Sequence, residues 1–294
     1  LLGAALALAG CASVSPDGLR GDVAQLTAGR TAGVQAALPA ADAAAKAQAQ
    51  ESIQRWLAEP LTQDAAVRIA LLNNPGLQAR LAALGVADAE RVQAITLPNP
   101  HFTLGRFANS HEREIERTLA FSLLDLITLP WRTERQAERL QIATLQAAQD
   151  VVTLAANTRR AWLRAVAAEQ VAATHERMGE AAEAGTELAR RMASVGNWSR
   201  LQLAREQAVL HEAHSQRVRA RLAAATARED LNRRLGVWGT QTQYQLAAQL
   251  PPLPAAALPA DGIEATALRE RLDVQAARRQ LDTQAVRVGW SRAG

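Results

Sequence analysis

The sequence predicts a mainly α-helical chain built around a long antiparallel coiled-coil hairpin, with one short β-hairpin placed ahead of it. Three observations predict this class. Ala, Leu, Arg, Gln and Glu dominate while aromatic residues make up only 3%, the profile of long helices packed through small side chains. The stretch 131–235 is almost free of Gly and Pro. Just before it, over 115–123, the hydrophobic period switches from helical to two.

The elements follow in order. Residues 1–10 are apolar and small, too short to span a bilayer, and read as part of a lipoprotein signal peptide that the sequence enters midway. They lead into Leu8-Ala9-Gly10-Cys11, which resembles the bacterial lipobox, with the thiol of Cys11 as the lipid attachment point. The competing reading is an ordinary apolar leader with a chance cysteine. Ala12 rather than Asp follows Cys11, which by the usual sorting rule directs the product to the outer membrane. Residues 11–48 are low in complexity and are expected to form a lipidated flexible tether without a core. No other apolar run is long enough for a transmembrane helix.

Helical character is expected from about Ala49, with Thr62 capping a new helix and Asp64 in its first turn. Val67, Ala70, Leu71, Leu77, Leu81 and Leu84 keep helical period, interrupted at Asn73-Asn74-Pro75-Gly76 because Pro75 disfavours helix at Asn74. The helix ends before Leu97-Pro98-Asn99-Pro100. A β-hairpin is expected over 101–124, with 101–107 as its first strand. In its second strand Ile115, Arg117, Leu119, Phe121 and Leu123 share one face, and Glu116, Thr118, Ala120 and Ser122 the other. Each strand is about the ~9–11 residues that a tilted strand needs to cross a bilayer. That makes Ile115, Leu119, Phe121 and Leu123 candidate lipid-facing residues. A soluble hairpin covering a helix fits the pattern equally.

The helical hairpin is expected over 131–235. Pro130 falls at the first turn of its outgoing helix, where a missing N–H costs nothing. That helix, to about Ala193, is roughly 95 Å long at ~1.5 Å per residue. The break at Val195-Gly196-Asn197-Trp198-Ser199 supplies a left-handed cap at Gly196 and an N-cap at Ser199 or Asn197. The return helix runs to Leu235-Gly236, with Leu203, Leu210, Val218, Leu222 and Ala225 near heptad spacing. Residues 250–262 form a Pro-rich linker, and a last helix starts near Ile263.

The chain carries an internal repeat. Ala70-Leu71 aligns with Ala267-Leu268, Leu77-Gln78-Ala79 with Val274-Gln275-Ala276, and Leu84 with Leu281, all at one offset. An interval this long is a duplicated half-protein, not a solenoid unit. The return and final helices together match the outgoing helix in length, so 263–294 reads as the start of a second repeat, truncated before its strands.

Function classes narrow accordingly. The net charge of +4 comes almost wholly from Arg, Lys46 being the only lysine. No basic cluster is interleaved with aromatics, so nucleic acid is not an expected partner. His211 and His214 lack the further ligands of a metal site. Glu112, Glu114 and Glu116 sit in a hairpin connection and strand edge, and no glycine loop cradles phosphate. Neither an enzyme nor a metal or other cofactor is expected.

Taken together, Ala70-Leu71-Leu72-Asn73-Asn74-Pro75, Leu97-Pro98-Asn99-Pro100, Gly196…Ser199-Arg200-Leu201, Leu235-Gly236 and Glu270-Arg271-Leu272-Asp273 resemble the TolC family of outer-membrane factors, specifically its lipidated members. The resemblance spans roughly 60–290, with 49–249 as a first repeat. It implies a homotrimer whose strands form a barrel in the outer membrane, continued by a periplasmic tube of helices. It further implies a passive exit duct for drugs or metal ions, docked to a periplasmic adaptor and through it to an inner-membrane pump. Gly196, Asn197, Ser199, Arg200 and Leu201 would form the adaptor-contact tip, a plain hairpin cap being the alternative. The competing function is a lipid-anchored periplasmic coiled-coil adaptor or scaffold without a pore.

Overall fold

The computed structural model describes residues 13–34, 38, 43–96, 101–108, 113–120, 122–253, 255–256 and 261–293. Their elements in chain order are α1 (Arg20–Thr27), α2 (Ala43–Ala58), α3 (Gln63–Asn73), α4 (Pro75–Ile95), β1 (His101–Ala108), β2 (Arg113–Ala120), α5 (Leu123–Ser194), α6 (Arg200–Leu235), α7 (Ile263–Glu270) and α8 (Leu272–Ala293). Contacts divide the chain into two units. One comprises Leu1–Leu26, Ala79–Gln149 and Asp261–Gly294, the other Thr27–Gln78 and Asp150–Ala260.

In the second unit the core gathers Ile53, Leu61, Ile69, Trp162, Val166, Leu231, Leu235 and Tyr244. Leu61 is its backbone hub. Its N–H donates to the Gln245 carbonyl at 2.8 Å, and its carbonyl accepts the Trp162 indole N–H at 2.8 Å. An indole buries an area worth several kcal/mol only if its N–H finds a partner, and the Leu61 carbonyl is that partner. The segment after α6 is tied down by Tyr244. Its hydroxyl donates to Asn232 Oδ1 at 2.8 Å, and Arg228, ion-paired with Glu169 at 2.6 Å, lies 4.6 Å above its ring and reaches its carbonyl.

Thr62 caps α3 by accepting from the Ala65 N–H, as its position before Gln63 predicts. Pro75 then forces Asn74 out of helical conformation, to φ −64° and ψ 118°. The break does more than end α3. Asn74 Oδ1 accepts the Leu77 N–H and so caps α4. Asn74 Nδ2 donates to the Arg234 carbonyl at 2.9 Å, and Asn73 Nδ2 to the Leu235 and Gly236 carbonyls at 3.1 and 2.8 Å. Carbonyls at a helix C-terminus have no intrahelical partner; here two side-chain amides satisfy those of α6. Gly236, at φ 70°, ends that helix in left-handed conformation, and a Cβ there would meet the Asn73 carbonyl oxygen at 2.6 Å.

The same break recurs one repeat later. Arg271 adopts φ −66° and ψ 124°, and its N–H donates to Ala267 as Asn74 donates to Ala70. Gln275 reaches back to the Arg269 carbonyl at 2.8 Å, as Gln78 reaches back to Leu72 at 3.2 Å. The expected single last helix is thus two, α7 and α8, because Arg271 takes the extended backbone of its counterpart.

The expected seam of the hairpin needs revision. Val218, Leu222 and Ala225 are exposed. Packed positions of α6 are Leu203, Leu210, Arg217, Ala224 and Leu231 with Glu206, Ala213, Ala220 and Ala227, a strict heptad. On α5, a Cβ at Gly179 would meet the Arg217 side chain at 3.5 Å and the Thr186 hydroxyl donates to the Glu206 carbonyl at 3.4 Å, while Ala172, Ala182 and Ala189 are at least half-buried. Small side chains on both helices let the backbones approach, while Val209, Val218 and Leu222 of α6 are turned outward. A ladder of polar pairs at seven-residue intervals runs along the hairpin: the ion pairs Glu169–Arg228 and Glu176–Arg221 at 2.6 Å each, and the hydrogen bond between Glu183 Oε1 and His214 Nε2 at 2.9 Å.

In the first unit, the Asp88 carboxylate is buried, pairs with Arg91 at 2.8 Å and accepts the Ser15 N–H at 2.6 Å. Arg91 also approaches the Ser13 carbonyl. The expected open tether is therefore ordered in part: 13–34 contain α1 and the buried residues Val23 and Val34. Helix α2 likewise begins at Ala43, ahead of the expected Ala49. The longest helix, α5, begins at Leu123 rather than Trp131, because Ser122 Oγ caps it by accepting the Asp125 N–H. Pro130 consequently sits inside the helix, where it removes one backbone hydrogen bond. Arg132, bonded to the Asp125 carbonyl and carboxylate, spans that turn.

Two measurements check this packing. Gly236→Ala brings both a left-handed strain and a backbone clash, and should destabilise by at least about 2–3 kcal/mol. Gly196→Ala, at φ 82° with open space around it, should cost only about 1 kcal/mol. Equal losses in thermal unfolding would contradict the close approach at Gly236. Burial pushes the Tyr244 hydroxyl up to about 12, outweighing the Arg228 cation. A raised native value adds stability that is complete below pH ~10 and lost as pH rises from ~10 to ~12. Between those limits the parent chain should lose roughly 2 kcal/mol more than Tyr244→Phe in chemical denaturation, and parallel losses would contradict the burial.

Candidate functional site

Two surfaces carry the candidate residues. The first is the α5–α6 turn. Gly196, at φ 82°, closes α5 in a Schellman arrangement, its N–H donating to Ala193 and that of Asn197 to Met192 at 3.1 and 2.9 Å. Ser199, rather than Asn197, is the N-cap of α6. Its Oγ accepts the Gln202 N–H at 3.2 Å while Gln202 Oε1 accepts the Ser199 N–H at 2.8 Å, a complete capping box. Gly196, Asn197, Ser199, Arg200 and Leu201 are all exposed, whereas Trp198 is half-buried. The turn is thus rigid at its backbone and presents the Leu201 side chain, 61% exposed, beside the Arg200 cation.

The second surface is the β-hairpin. The strands pair antiparallel with Phe102 opposite Leu119, Leu104 opposite Arg117 and Arg106 opposite Ile115. Directly opposed residues share a face, so Phe102, Leu104, Ile115 and Leu119 form one apolar band together with Arg106 and Arg117. Those four apolar side chains are 58–67% exposed. Each strand has eight residues, the second ending at Ala120 rather than continuing through Leu123, and in a two-stranded sheet both strands are edges with unpaired outward N–H and C=O groups.

Of the four lipid-facing candidates, the structure sets Ile115 and Leu119 on this band. Leu123 belongs instead to the first turn of α5, where Ser122 starts a helix, and is exposed there with Leu124 and Ile127. Phe121 and the lipidation candidate Cys11 lie outside the described residues. Sequence reading missed Arg106 as a member of the band because only the strand register brings it beside Arg117. An arginine at the bilayer midplane on the lipid face of a strand costs about 2–4 kcal/mol, falling to ~0–1 at the interface.

Among the described residues, no three His, Cys, Asp or Glu side chains gather as a metal site. His214 Nε2 meets Glu183 Oε1 at 2.9 Å. Also among them, no helix is long and apolar enough to cross a membrane.

Solved structures on which the chain superposes include outer-membrane channels. The chain superposes on the Campylobacter jejuni CmeC outer membrane channel and on CusC with a TM-score of 0.65 and 18% identity in each case, over 82% of its own length. The outer-membrane channel OprN gives 0.61 at 21% identity, again over 82%. No protein-family model and no curated protein matches. At such identities the likeness shows the fold. The chain has the fold of a TolC-type outer-membrane channel, as the resemblance of its motifs implies. It spans 53% of CmeC, 58% of CusC and 57% of OprN.

Proposed function

We propose that this chain is a wall segment of an outer-membrane efflux duct, lipid-anchored through Cys11 and assembled as a homotrimer. The observation that carries the reading is the superposition on outer-membrane channels over four-fifths of the chain. The physical arrangement supports it. The α5–α6 pair keeps small side chains in its seam and turns Val171, Met178, Leu188, Val209, Val218 and Leu222 outward, each at least half exposed. An apolar stripe of that kind is covered when further helices pack beside it. The β-hairpin poses the same problem, since two strands with open edges become stable in a bilayer only as part of a closed barrel. Ile115 and Leu119, continued by Phe121 and Leu123, would then meet lipid.

The rigid turn at Gly196, Asn197, Ser199, Arg200 and Leu201 is the surface we assign to a periplasmic adaptor, through which an inner-membrane pump would drive drugs or metal ions passively along the duct. The chain would extend from the outer membrane into the periplasm.

Fractionation of a Gram-negative host expressing the chain tests this. The parent chain should sediment with outer membrane, incorporate labelled palmitate and cross-link to three times its own mass. Cys11→Ala should lose the label. A soluble periplasmic monomer without acyl label would contradict the reading.

A further inference from the structure

The β-hairpin band is not uniformly apolar, and its polarity is ordered along the strands. Nearest the helices, Phe102 faces Leu119, an apolar pair on both strands. The next row on the same face joins Leu104 to Arg117, and the row beyond joins Arg106 to Ile115. Each of these rows toward the turn holds one cation and one apolar residue. Arg106 and Arg117 are diagonal neighbours, with backbones roughly 7–8 Å apart, and arginine side chains long enough for both guanidinium groups to converge on one atom group. Both are exposed, and among the described residues neither has a carboxylate partner. Glu116, the acid closest in sequence, faces the other side of the sheet and there accepts from Thr118.

Two unpaired cations held side by side on an apolar face repel each other, unless an anion lies between them. Guanidinium groups match the geometry of phosphate with paired N–H donors. Apolar residues directly below them match acyl chains. We infer that this face binds a phosphate-bearing lipid, with the headgroup phosphate between Arg106 and Arg117 and an acyl chain along Phe102 and Leu119. The inference rests on the proposal that the hairpin enters the membrane, and adds to it a depth. The rows 104–106 and 115–117 lie at the headgroup level, where an arginine is tolerated, and the Phe102–Leu119 row lies in hydrocarbon.

Vesicle flotation tests this with the full chain carrying Cys11→Ala, so that no acyl anchor dominates partition. It compares vesicles of phosphatidylcholine alone with vesicles also containing phosphatidylglycerol, at about 0.15 M salt to screen distant charges. The chain should bind both, and the anionic vesicles more tightly. Arg106→Gln/Arg117→Gln should retain the phosphatidylcholine binding and lose an anionic preference on the order of thirtyfold. Arg164→Gln/Arg219→Gln, which removes equal charge from the helical hairpin, should keep that preference.

Equal loss in both double variants would overturn the site in favour of general basic charge, as would no loss in the first. Displacement of the anionic preference by inorganic phosphate would overturn the lipid assignment in favour of a free anion. Binding to both vesicles without preference would sink this inference alone. Absence of binding to either would sink the membrane reading together with it.

Discussion

At the C-terminus of α6 the last carbonyls point at two asparagine side chains, and much of the second unit depends on that meeting. Pro75 makes the break after Asn73 unavoidable, since the residue before a proline is pushed out of helical conformation. The consequence is that Asn74 caps α4 with its oxygen while its nitrogen, with that of Asn73, closes α6. Three helix ends are thereby settled at one tripeptide. Because Gly236 lies against the Asn73 carbonyl with no room for a Cβ, α6 stops at that point. The following segment can then return Tyr244 and Gln245 to the Asn232 side chain and the Leu61 backbone.

The second constraint is an inversion of the usual burial. Within the hairpin, small residues such as Gly179, Thr186 and Ala220 share the seam with Leu203, Leu210 and Leu231, while Val171, Met178, Leu188, Val209, Val218 and Leu222 face outward. A seam of small residues contributes little area per residue, so its stability rests on close backbone approach and on the charged rungs along its edge. Exposed ion pairs are worth only ~0–1 kcal/mol each. In the repeat that begins at α7, Ile263 and Leu268 are more than half exposed while their counterparts Ala66 and Leu71 are buried. The backbone break is duplicated at Arg271.

Much of this was legible in the sequence. Local chemistry announced itself: Thr62, Pro75, Gly196, Ser199 and Gly236 all act at the positions where their residue types are needed. So did the long hairpin and the change to period two before it. What was misread followed from rules with a competing term. Pro130 looked like a helix start, but Ser122 offered an earlier cap and the helix absorbed the proline. Val218 and Leu222 looked like seam residues because hydrophobicity was taken for burial, whereas alanine and the arginine stem at Arg217 pack more closely. Long-range partners left no local trace: Asp88 with Ser15, Trp162 with Leu61, and Arg106 beside Arg117 are brought together only by the fold.

The clamp on α6 can be tested apart from any function. In Asn73→Asp, two donors are lost and a negative charge is set against the negative end of the helix dipole. Amide hydrogen exchange along the chain is the direct measurement. Protection should fall together at 233–237 and at the amide of Leu61, with the capping box at Ser199 and Gln202 unchanged. Unaltered protection at 233–237 would contradict the account, because the carbonyls there would then be closed by something other than Asn73 and Asn74.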